Sequence, residues 1–401
     1  MEQELISRGR GKNLGFAPNA QKRAAIIGAG PAGCICAYYL QEYLDVTLFD
    51  KGNFLRTLLP TGGGRCNLAH AEYDFKELAK NYPRGEKFLY SVFSRFSTKE
   101  TLEFFKSIEI ETYVQDDNRI FPVSNSAKDV REKLLKSISK CTFQHEKVEK
   151  ISKLENGYKI STPKSSYYFD IVVIAIGGHA GFGLLEALNI KVIEPTQALV
   201  GLLTKEDFAT ISGVCLKHIT AKIQKKQLTG DIIFTHKGIS GPLIYKLSSI
   251  FARKEFPYKI NLQIIESLDL QQHLNKNPHK EIKNLLGEFI PKSFANWLLE
   301  HLGIPPETPS HKINGTKRDK IVNHLDNFEI NITGKFPDGE VVTCGGVDLK
   351  EVNSKTLESK TCPGLYFCGE VLDIDGFCGG FNLQNCWSTG YVTAESIKNN
   401  S

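Results

Sequence analysis

Three glycines near the amino terminus have the residue type and spacing to bind a phosphorylated ligand. They form a Gly-x-Gly-x-x-Gly pattern between the apolar runs 23–27 and 34–44. In a strand–turn–helix unit the first glycine permits the tight turn, the second lets the backbone approach a pyrophosphate, and the third lets the helix pack on the strand. Free N–H groups at the start of the helix favour phosphate. The positions predicted to contact a dinucleotide are Gly28, Ala29, Gly30, Ala32 and Gly33.

A carboxylate follows the next apolar run. Asp50 comes directly after the strand-like residues 46–49, 22 positions after Gly28. An acidic side chain at this spacing can accept hydrogen bonds from a ribose hydroxyl. Lys51, beside it, is a weaker candidate for the same site. Strand, glycine turn, helix, strand and acid are all present, so dinucleotide binding is predicted from the complete context rather than from the glycines alone.

A second glycine-rich loop spans Thr61–Asn67 and reads TGGGRCN. Three glycines followed by arginine can form a backbone nest for an anion or lie against a flat ring, and the arginine can reach a phosphate. An ordinary flexible loop is the alternative interpretation. The predicted cofactor contacts in this loop are Gly63, Gly64, Arg65, Cys66 and Asn67.

Two later runs predict strands that end at glycines. Residues 171–176 are typical of a buried parallel strand whose carboxyl end, at Gly177, contacts a ligand. Near the carboxyl terminus a strand ends at Gly369, and the glycine-rich segment 376–380 then leads into a terminal helix. The first N–H groups of that helix are unpaired and carry partial positive charge. The remaining predicted cofactor contacts are Val148, Gly177, Gly369, Glu370, Asp375, Gly380, Asn382, Leu383 and Gln384.

Composition narrows the class of protein. The 401 residues suffice for two or three domains, and 41% hydrophobic with 24% charged residues is ordinary for a globular chain. No apolar run approaches the roughly 20 residues of a membrane span. A net charge of +5, with both signs interspersed, is too weak and too diffuse to indicate a nucleic-acid partner. The ten cysteines lack zinc-site spacing, so we expect reduced, buried thiols and no metal. The polar amino terminus lacks the apolar region of a secretory signal, so we expect a cytoplasmic protein. The substrate is expected to be a small molecule.

The predicted fold is α/β, with a discontinuous Rossmann-like domain and an inserted domain. The Rossmann-like domain takes residues 21–195 and 343–401, and residues 1–20 are expected to be flexible. The insert, 196–342, is predicted to be mainly β and barrel-like, with a small helical piece at about 268–325. A stripe of apolar residues at i, i+3, i+4, i+7 and i+8 predicts one of its helices. Those residues are Ile282, Leu285, Leu286, Phe289 and Ile290, and Pro291 interrupts the stripe.

The motifs together resemble the NAD(P)/FAD-dependent flavoproteins grouped with aminoacetone oxidase and bile-acid-type flavin reductases. Four separated segments carry the resemblance: Thr61–Asn67, Phe234–Pro242, Val342–Val347 and Gly364–Gln384. The resemblance implies non-covalent FAD and a terminal helix that points at the isoalloxazine. NAD(P)H would dock transiently, because the chain has no second glycine fingerprint. The loop after Gly178 is shorter than in relatives, at residues 179–183, so a relative's substrate does not transfer to this chain.

No side chain is predicted firmly as the catalytic acid or base. The weak candidates are His236 and His179, both in glycine-rich loops, and the thiol of Cys66. We expect a flavin oxidoreductase that takes electrons from NAD(P)H and reduces a small organic molecule. One alternative is an oxidase that removes a hydride from an amine and reduces oxygen. The other is a non-enzymatic FAD-bound sensor or RNA-associated flavoprotein, which the lysines at 217, 222, 225 and 226 would support.

Overall fold

The computed structural model describes residues 21–179, 181–223, 226–337 and 342–400. Elements are numbered in chain order. The described strands are β1 Arg23–Ile27, β2 Asp45–Phe49, β3 Ala69–His70, β4 Thr112–Val114, β5 Arg119–Pro122, β6 Thr142–Gln144, β7 Lys150–Lys153, β8 Tyr158–Ser161, β9 Ser166–Phe169, β10 Ile171–Ile174, β11 Val192–Ala198, β12 Leu202–Thr204, β13 Cys215–Ile223, β14 Lys226–Thr235, β15 Gly238–Ser240, β16 Tyr258–Gln263, β17 Phe328–Lys335, β18 Val342–Val347 and β19 Leu365–Phe367. The described α-helices are α1 Pro31–Leu40, α2 Phe75–Ala79, α3 Glu86–Phe93, α4 Thr98–Ser107, α5 Ala127–Ser137, α6 Gly183–Glu186, α7 Pro242–Ile250, α8 Leu270–Lys276, α9 Ile282–Leu286, α10 Lys292–His301, α11 Gly315–Asp326 and α12 Phe381–Asn400.

The chain forms two compact units. The first contains the residues up to Thr196 and those from Val342 onward, and the second contains Gln197–Val341. The predicted flexible segment, residues 1–20, lies outside the described residues. Within the part of the chain that the structure describes, no helix combines the length and the apolarity that a membrane crossing requires.

A parallel sheet organises the first unit and confirms the predicted Rossmann-type fold. Its strand order is β19-β10-β1-β2-β6, with β1 at the centre between β10 and β2. Successive residues of β1 belong to different cores: Ala24 and Ile26 to one, Ala25 and Ile27 to the other. Apolar side chains therefore cover both faces, which explains why β10 reads as an unbroken apolar run with four buried residues.

Helix α12 packs closely on α1. A Cβ atom on Gly390 would lie 2.3 Å from Ile35 Cγ2 and 2.5 Å from the Ala32 carbonyl oxygen, so only glycine permits this separation of the two helices. The carboxyl-terminal helix is thus fixed against the helix that follows the glycine turn. Three smaller sheets complete this unit, with strand orders β3-β5-β4, β7-β8-β9 and β11-β18.

The second unit is a closed six-stranded barrel with several helices, as the sequence predicts. The strand order is β12-β15-β14-β13-β16-β17, and every pairing is antiparallel. Its core includes the buried rings of Phe208, Phe234 and Phe294. The predicted helix through Ile290 is wrong in its extent, since α9 stops at Leu286, before Gly287, and Phe289 is 37% exposed.

Candidate functional site: the glycine turn and the strand ends of the Rossmann-type unit

The turn after β1 requires glycine at two positions for reasons internal to the protein. Gly28 has φ of +103°, and a Cβ atom there would lie 2.2 Å from the Ala175 carbonyl oxygen. A Cβ atom on Gly33 would lie 2.1 Å from the Gly28 carbonyl oxygen. These contacts bring α1 against the turn and the end of β10, as the glycine pattern predicts.

Gly30 differs from Gly28 and Gly33 in what its backbone requires. Its φ of −82° is accessible to any residue, and the nearest atom to a built Cβ is Thr57 Oγ1 at 3.7 Å. Gly30 is also the N-cap of α1, which none of the described side chains caps, and Pro31 occupies the first turn. The packing of the protein therefore does not require glycine at 30, although the approach of a ligand to an open helix N-terminus would.

The carboxylate of Asp50 is fixed beside this turn. Its Oδ2 accepts a hydrogen bond from the Ala29 N–H at 2.9 Å, and its Oδ1 accepts one from the Gly52 N–H at 2.9 Å. The side chain is half-buried, and each oxygen keeps a further lone pair. Lys51 is exposed. The structure thus holds Asp50 in one orientation at the carboxyl end of β2, next to the helix N-terminus.

The glycines of the TGGGRCN loop adopt left-handed backbone conformations. Gly62, Gly63 and Gly64 have φ of +58°, +68° and +85°, and Cβ atoms on Gly63 and Gly64 would meet no atom within 4 Å. The loop therefore leaves its backbone open on one side. The Arg65 guanidinium lies over the ring of Phe121, 4.1 Å from its centroid.

Cys66 and Asn67, the last two residues of the same loop, are both buried. Cys66 is buried, and burial raises the pKa of its thiol to about 12, although a hydrogen bond with Thr61 opposes the shift. With its amide oriented to match its neighbours, Asn67 accepts a hydrogen bond from the Gly380 N–H at 3.0 Å. Asn67 therefore connects the TGGGRCN loop to the start of α12.

The ends of β10 and β19 converge on the first turn of α1. Gly369 has φ of +79°, and a Cβ atom there would lie 2.7 Å from Ala32 Cβ. Gly177 has φ of +76°, and the carboxylate of Glu370 lies near it, 4.0 Å from where its Cβ would be. Glu370 Oε1 accepts a hydrogen bond from the Thr343 N–H at 3.0 Å. These residues and the glycine turn thus share the carboxyl edge of the sheet, where open α/β sheets bind ligands.

The segment before α12 is anchored by residues far away in the sequence. Asp375 is completely buried, and both of its carboxylate oxygens accept hydrogen bonds from Arg84. Burial lowers the pKa of the Arg84 guanidinium, but the hydrogen bonds and charge of Asp375 outweigh it, so the net shift is upward. His70 Nδ1 lies 3.1 Å from the Gly379 carbonyl oxygen. Asp375 is therefore placed to fix the loop, and its carboxylate has no exposed surface for a ligand.

The first turn of α12 contains the predicted helix-terminal contacts. The N–H groups of Asn382 and Leu383 have no acceptor among the residues that the structure describes. The Asn382 side chain instead accepts from the Gly376 N–H at 2.8 Å and donates to its carbonyl oxygen at 2.8 Å. The backbone N–H of Gln384, which the sequence predicts to be unpaired, instead donates to the Gly380 carbonyl oxygen. Its side-chain Nε2 donates to Thr101 and Ser388.

The proposed catalytic side chains are divided between the two units: Cys66 and His179 belong to the first, and His236 belongs to the second. His179 is exposed after β10, and His236 is exposed in the turn between β14 and β15 of the second unit. Val148 is buried, 6% exposed, within a core of the first unit. No set of three or more His, Cys, Asp or Glu side chains in the described ranges is arranged to hold a metal ion.

Sequence reasoning missed Arg84, His70 and Phe121. Arg84 has no signal in its own segment, because its partner Asp375 is 291 residues away. His70 lies three positions after the TGGGRCN loop, and this closeness in sequence could have indicated that it lies near the site. Phe121 could be recognised only once β5 was known to lie against Gly62 and Arg65.

Comparison with known proteins gives a family and full-length relatives. The family described as HI0933-like protein Rossmann domain matches residues 22–396. The ribosomal RNA dihydrouridine synthase of Escherichia coli (strain K12) is 27% identical over 398 residues, which cover 93% of this chain and 97% of that protein. The 3-dehydro-bile acid delta(4,6)-reductase of Clostridium scindens (strain ATCC 35704) is 30% identical over 409 residues, which cover 93% of this chain and 98% of that protein.

Similarity to solved structures is weaker. The open conformation of a flavocytochrome c3 fumarate reductase aligns with 99% of this chain and 80% of its own, at 12% identity and a TM-score of 0.46. A TM-score this low supports no argument about the site.

Proposed function

We propose that this chain, which belongs to the HI0933-like family, is a FAD-dependent reductase. Its proposed substrate contains a carbon–carbon double bond conjugated to a carbonyl group. NAD(P)H is the proposed electron donor. The observation that carries the proposal is the open N-terminus of α1 at Gly30, beside the fixed carboxylate of Asp50.

The names of two relatives favour this reaction class. A dihydrouridine synthase adds two hydrogens to a ring double bond of uridine, and a delta(4,6)-reductase adds hydrogen to double bonds of a 3-dehydro bile acid. In both molecules the double bond is conjugated to a carbonyl group. We carry this shared chemistry to the present chain, and not either substrate by itself.

The described residues fit FAD. The open position at Gly30 leaves space for a pyrophosphate at the N-terminus of α1, and Asp50 retains lone pairs for ribose hydroxyl groups. The TGGGRCN loop exposes the backbone of Gly63 and Gly64 for a flat ring. At the start of α12, the N–H groups of Asn382 and Leu383, for which the described residues supply no acceptor, suit a ring that carries negative charge.

Each group then has a defined task in the proposed reaction. The N-terminus of α1 binds phosphate through N–H groups and its positive dipole. Asp50 orients the ribose, and the first turn of α12 stabilises negative charge that develops at the ring. FAD, when bound, supplies the carrier that passes two electrons from the nicotinamide to the substrate. Overall, NAD(P)H and one proton convert the double bond to a single bond and release NAD(P)⁺.

A uridine within RNA is a second candidate for the double bond. The name of the Escherichia coli relative favours it, and on this chain Lys217 and Lys222 are exposed on β13. Lys225 lies outside the described residues. Binding through lysines would weaken steeply with salt, which separates RNA from a small neutral enone.

An anaerobic screen tests the proposal. The FAD-loaded protein is mixed with NADH, NADPH, a panel of amines and a panel of hydroxy acids, and the visible flavin absorbance is followed. We expect bleaching by a nicotinamide and recovery on adding an enone or a uridine-containing RNA. Bleaching by an amine alone, with peroxide formed when air is admitted, would instead identify an oxidase.

A further inference from the structure

We propose that Arg65, supported by Arg119, forms an oxyanion site on the ring of Phe121, separate from the phosphate site of α1. The site would bind a phosphate or carboxylate group of the electron donor or of the substrate. This inference rests on the proposed function for its biological role, although its binding test does not depend on turnover.

The first observation is the concentration of positive charge on one buried ring. The guanidinium carbon of Arg65 lies 4.1 Å from the Phe121 centroid, and that of Arg119 lies 5.5 Å from the same centroid. Phe121 is 0% exposed, so its ring is a fixed support rather than a mobile surface group. Cation–π contact at these distances holds both guanidinium groups in place.

The second observation is the shortage of negative charge. Arg119 Nε pairs with Asp117 Oδ2 at 2.7 Å, but Arg65 has no carboxylate partner among the residues described. Among the residues that the structure describes, Arg65 donates only from Nε, to the Gly62 carbonyl oxygen at 3.3 Å. Its two terminal amino groups therefore remain available in the fork that matches a phosphate or carboxylate.

The third observation is access. Arg65 is half-buried, so part of its side chain stays in contact with solvent. Arg119 is also partly exposed, 38% at its side chain. An anion can therefore reach the Arg65 fork from solvent, and the nearby charge of Arg119 strengthens its binding.

The assignment differs from the sequence expectation that Arg65 belongs to the FAD site. A guanidinium that holds FAD should be needed to retain FAD. The proposed site should be dispensable for FAD and needed for a second anion. Binding measurements on the FAD-loaded protein separate the two assignments.

Calorimetric titration of the FAD-loaded protein with inorganic phosphate and with 2′,5′-ADP is the primary test. We expect Arg65→Ala to weaken binding of the anion about tenfold or more and Arg119→Ala about threefold, with FAD affinity unchanged. Arg65→Lys should recover part of the loss, because it restores the charge without the fork. Arg318→Ala is the matched control and should change nothing, because Arg318 is a half-buried arginine of α11 paired with Asp319.

Steady-state measurements distinguish the sources of the anion. A raised KM of Arg65→Ala for NADPH but not NADH would assign the site to the donor's 2′-phosphate. A raised KM for an enone carboxylate but not its methyl ester would assign it to the substrate. The proposal is overturned if wild-type protein binds neither probe, if Arg65→Ala and Arg65→Lys bind them as wild type does, or if these variants lose FAD. Absence of enone reduction would overturn the proposed function and leave the titration result intact.

Discussion

Each carboxylate oxygen of Asp50 accepts one hydrogen bond from a backbone N–H, one from Ala29 and the other from Gly52. Both bonds orient the carboxylate in the absence of a ligand, so a ribose would meet an already positioned acceptor. We predict that Asp50→Ala weakens FAD binding by about 1–3 kcal/mol, roughly fivefold to 150-fold. Fluorescence titration of the apoprotein with FAD measures it.

The matched control is Asp45→Ala on the same strand. Asp45 is 55% exposed, and its 3.8 Å ion pair with Arg23 contributes about 0–1 kcal/mol to stability. Its FAD affinity should equal that of the wild type. An Asp50→Ala protein with unchanged FAD affinity would remove Asp50 from the ribose site.

Cys66 is predicted to be chemically silent. Because burial raises the pKa of its thiol to about 12, it stays protonated well above neutral pH and provides no thiolate nucleophile. We expect iodoacetamide to label the exposed Cys378 of the folded protein at pH 8 and to leave Cys66 unlabelled, as peptide mass spectrometry would show. Cys66→Ala should keep the proposed enone reduction within about twofold of wild type. Equal labelling of both cysteines would contradict the buried placement.

The pair formed by Arg84 and Asp375 is a stability determinant. Asp375→Ala would leave the guanidinium of Arg84, 14% exposed, without its carboxylate. The expected loss is about 3–5 kcal/mol in the free energy of unfolding, measured by urea denaturation. Glu77→Ala, which breaks the exposed pair with Lys80, should leave the free energy of unfolding nearly unchanged. Similar losses in the two variants would show that burial does not strengthen the role of Asp375.

At the scale of elements, two glycines of the turn between β1 and α1 are expected to have different roles, Gly33 in packing and Gly30 in ligand binding. Gly33→Ala should destabilise the apoprotein by about 1–3 kcal/mol, since its Cβ would press on the Gly28 carbonyl oxygen. Gly30→Ala should leave apoprotein stability nearly unchanged and weaken FAD binding about tenfold or more, because only the ligand needs that space. Thermal unfolding and FAD titration of both variants supply the comparison. Normal FAD affinity in Gly30→Ala would place the pyrophosphate elsewhere.

Sequence reasoning succeeded where an element's signal is local. The strand, glycine turn, helix and acid of residues 23–50 are contiguous, so one short stretch of sequence contains the whole pattern. It failed where the determinant is tertiary. The contact of His70 with Gly379 spans 309 residues, and the placement of Arg65 over Phe121 depends on how β5 packs. The end of α9 at Leu286 shows the same limit, because an apolar stripe marks a buried face without marking where the helix stops.

At the scale of the molecule, both ends of the chain build one sheet. β1 begins near the amino terminus, while β19, from the last tenth of the chain, extends the sheet beside β10. Helix α12 then returns to pack on α1. The barrel unit of Gln197–Val341 is inserted between these parts and has its own apolar core. The candidate site therefore depends on residues from both ends of the sequence, and removing the carboxyl-terminal segment would remove half of it.

The most direct test of the proposed function uses the FAD-loaded protein under argon. The protein is reduced with NADPH and then mixed with a 3-oxo steroid enone or, in a separate sample, with uridine-containing RNA. We predict that the visible flavin absorbance returns without oxygen and that the product gains two hydrogens by mass spectrometry, while Gly30→Ala, incubated with the same subsaturating FAD, shows both in proportion to the smaller amount of FAD that it retains. A protein that takes up no FAD, or one whose absorbance returns only when oxygen is admitted, would contradict it.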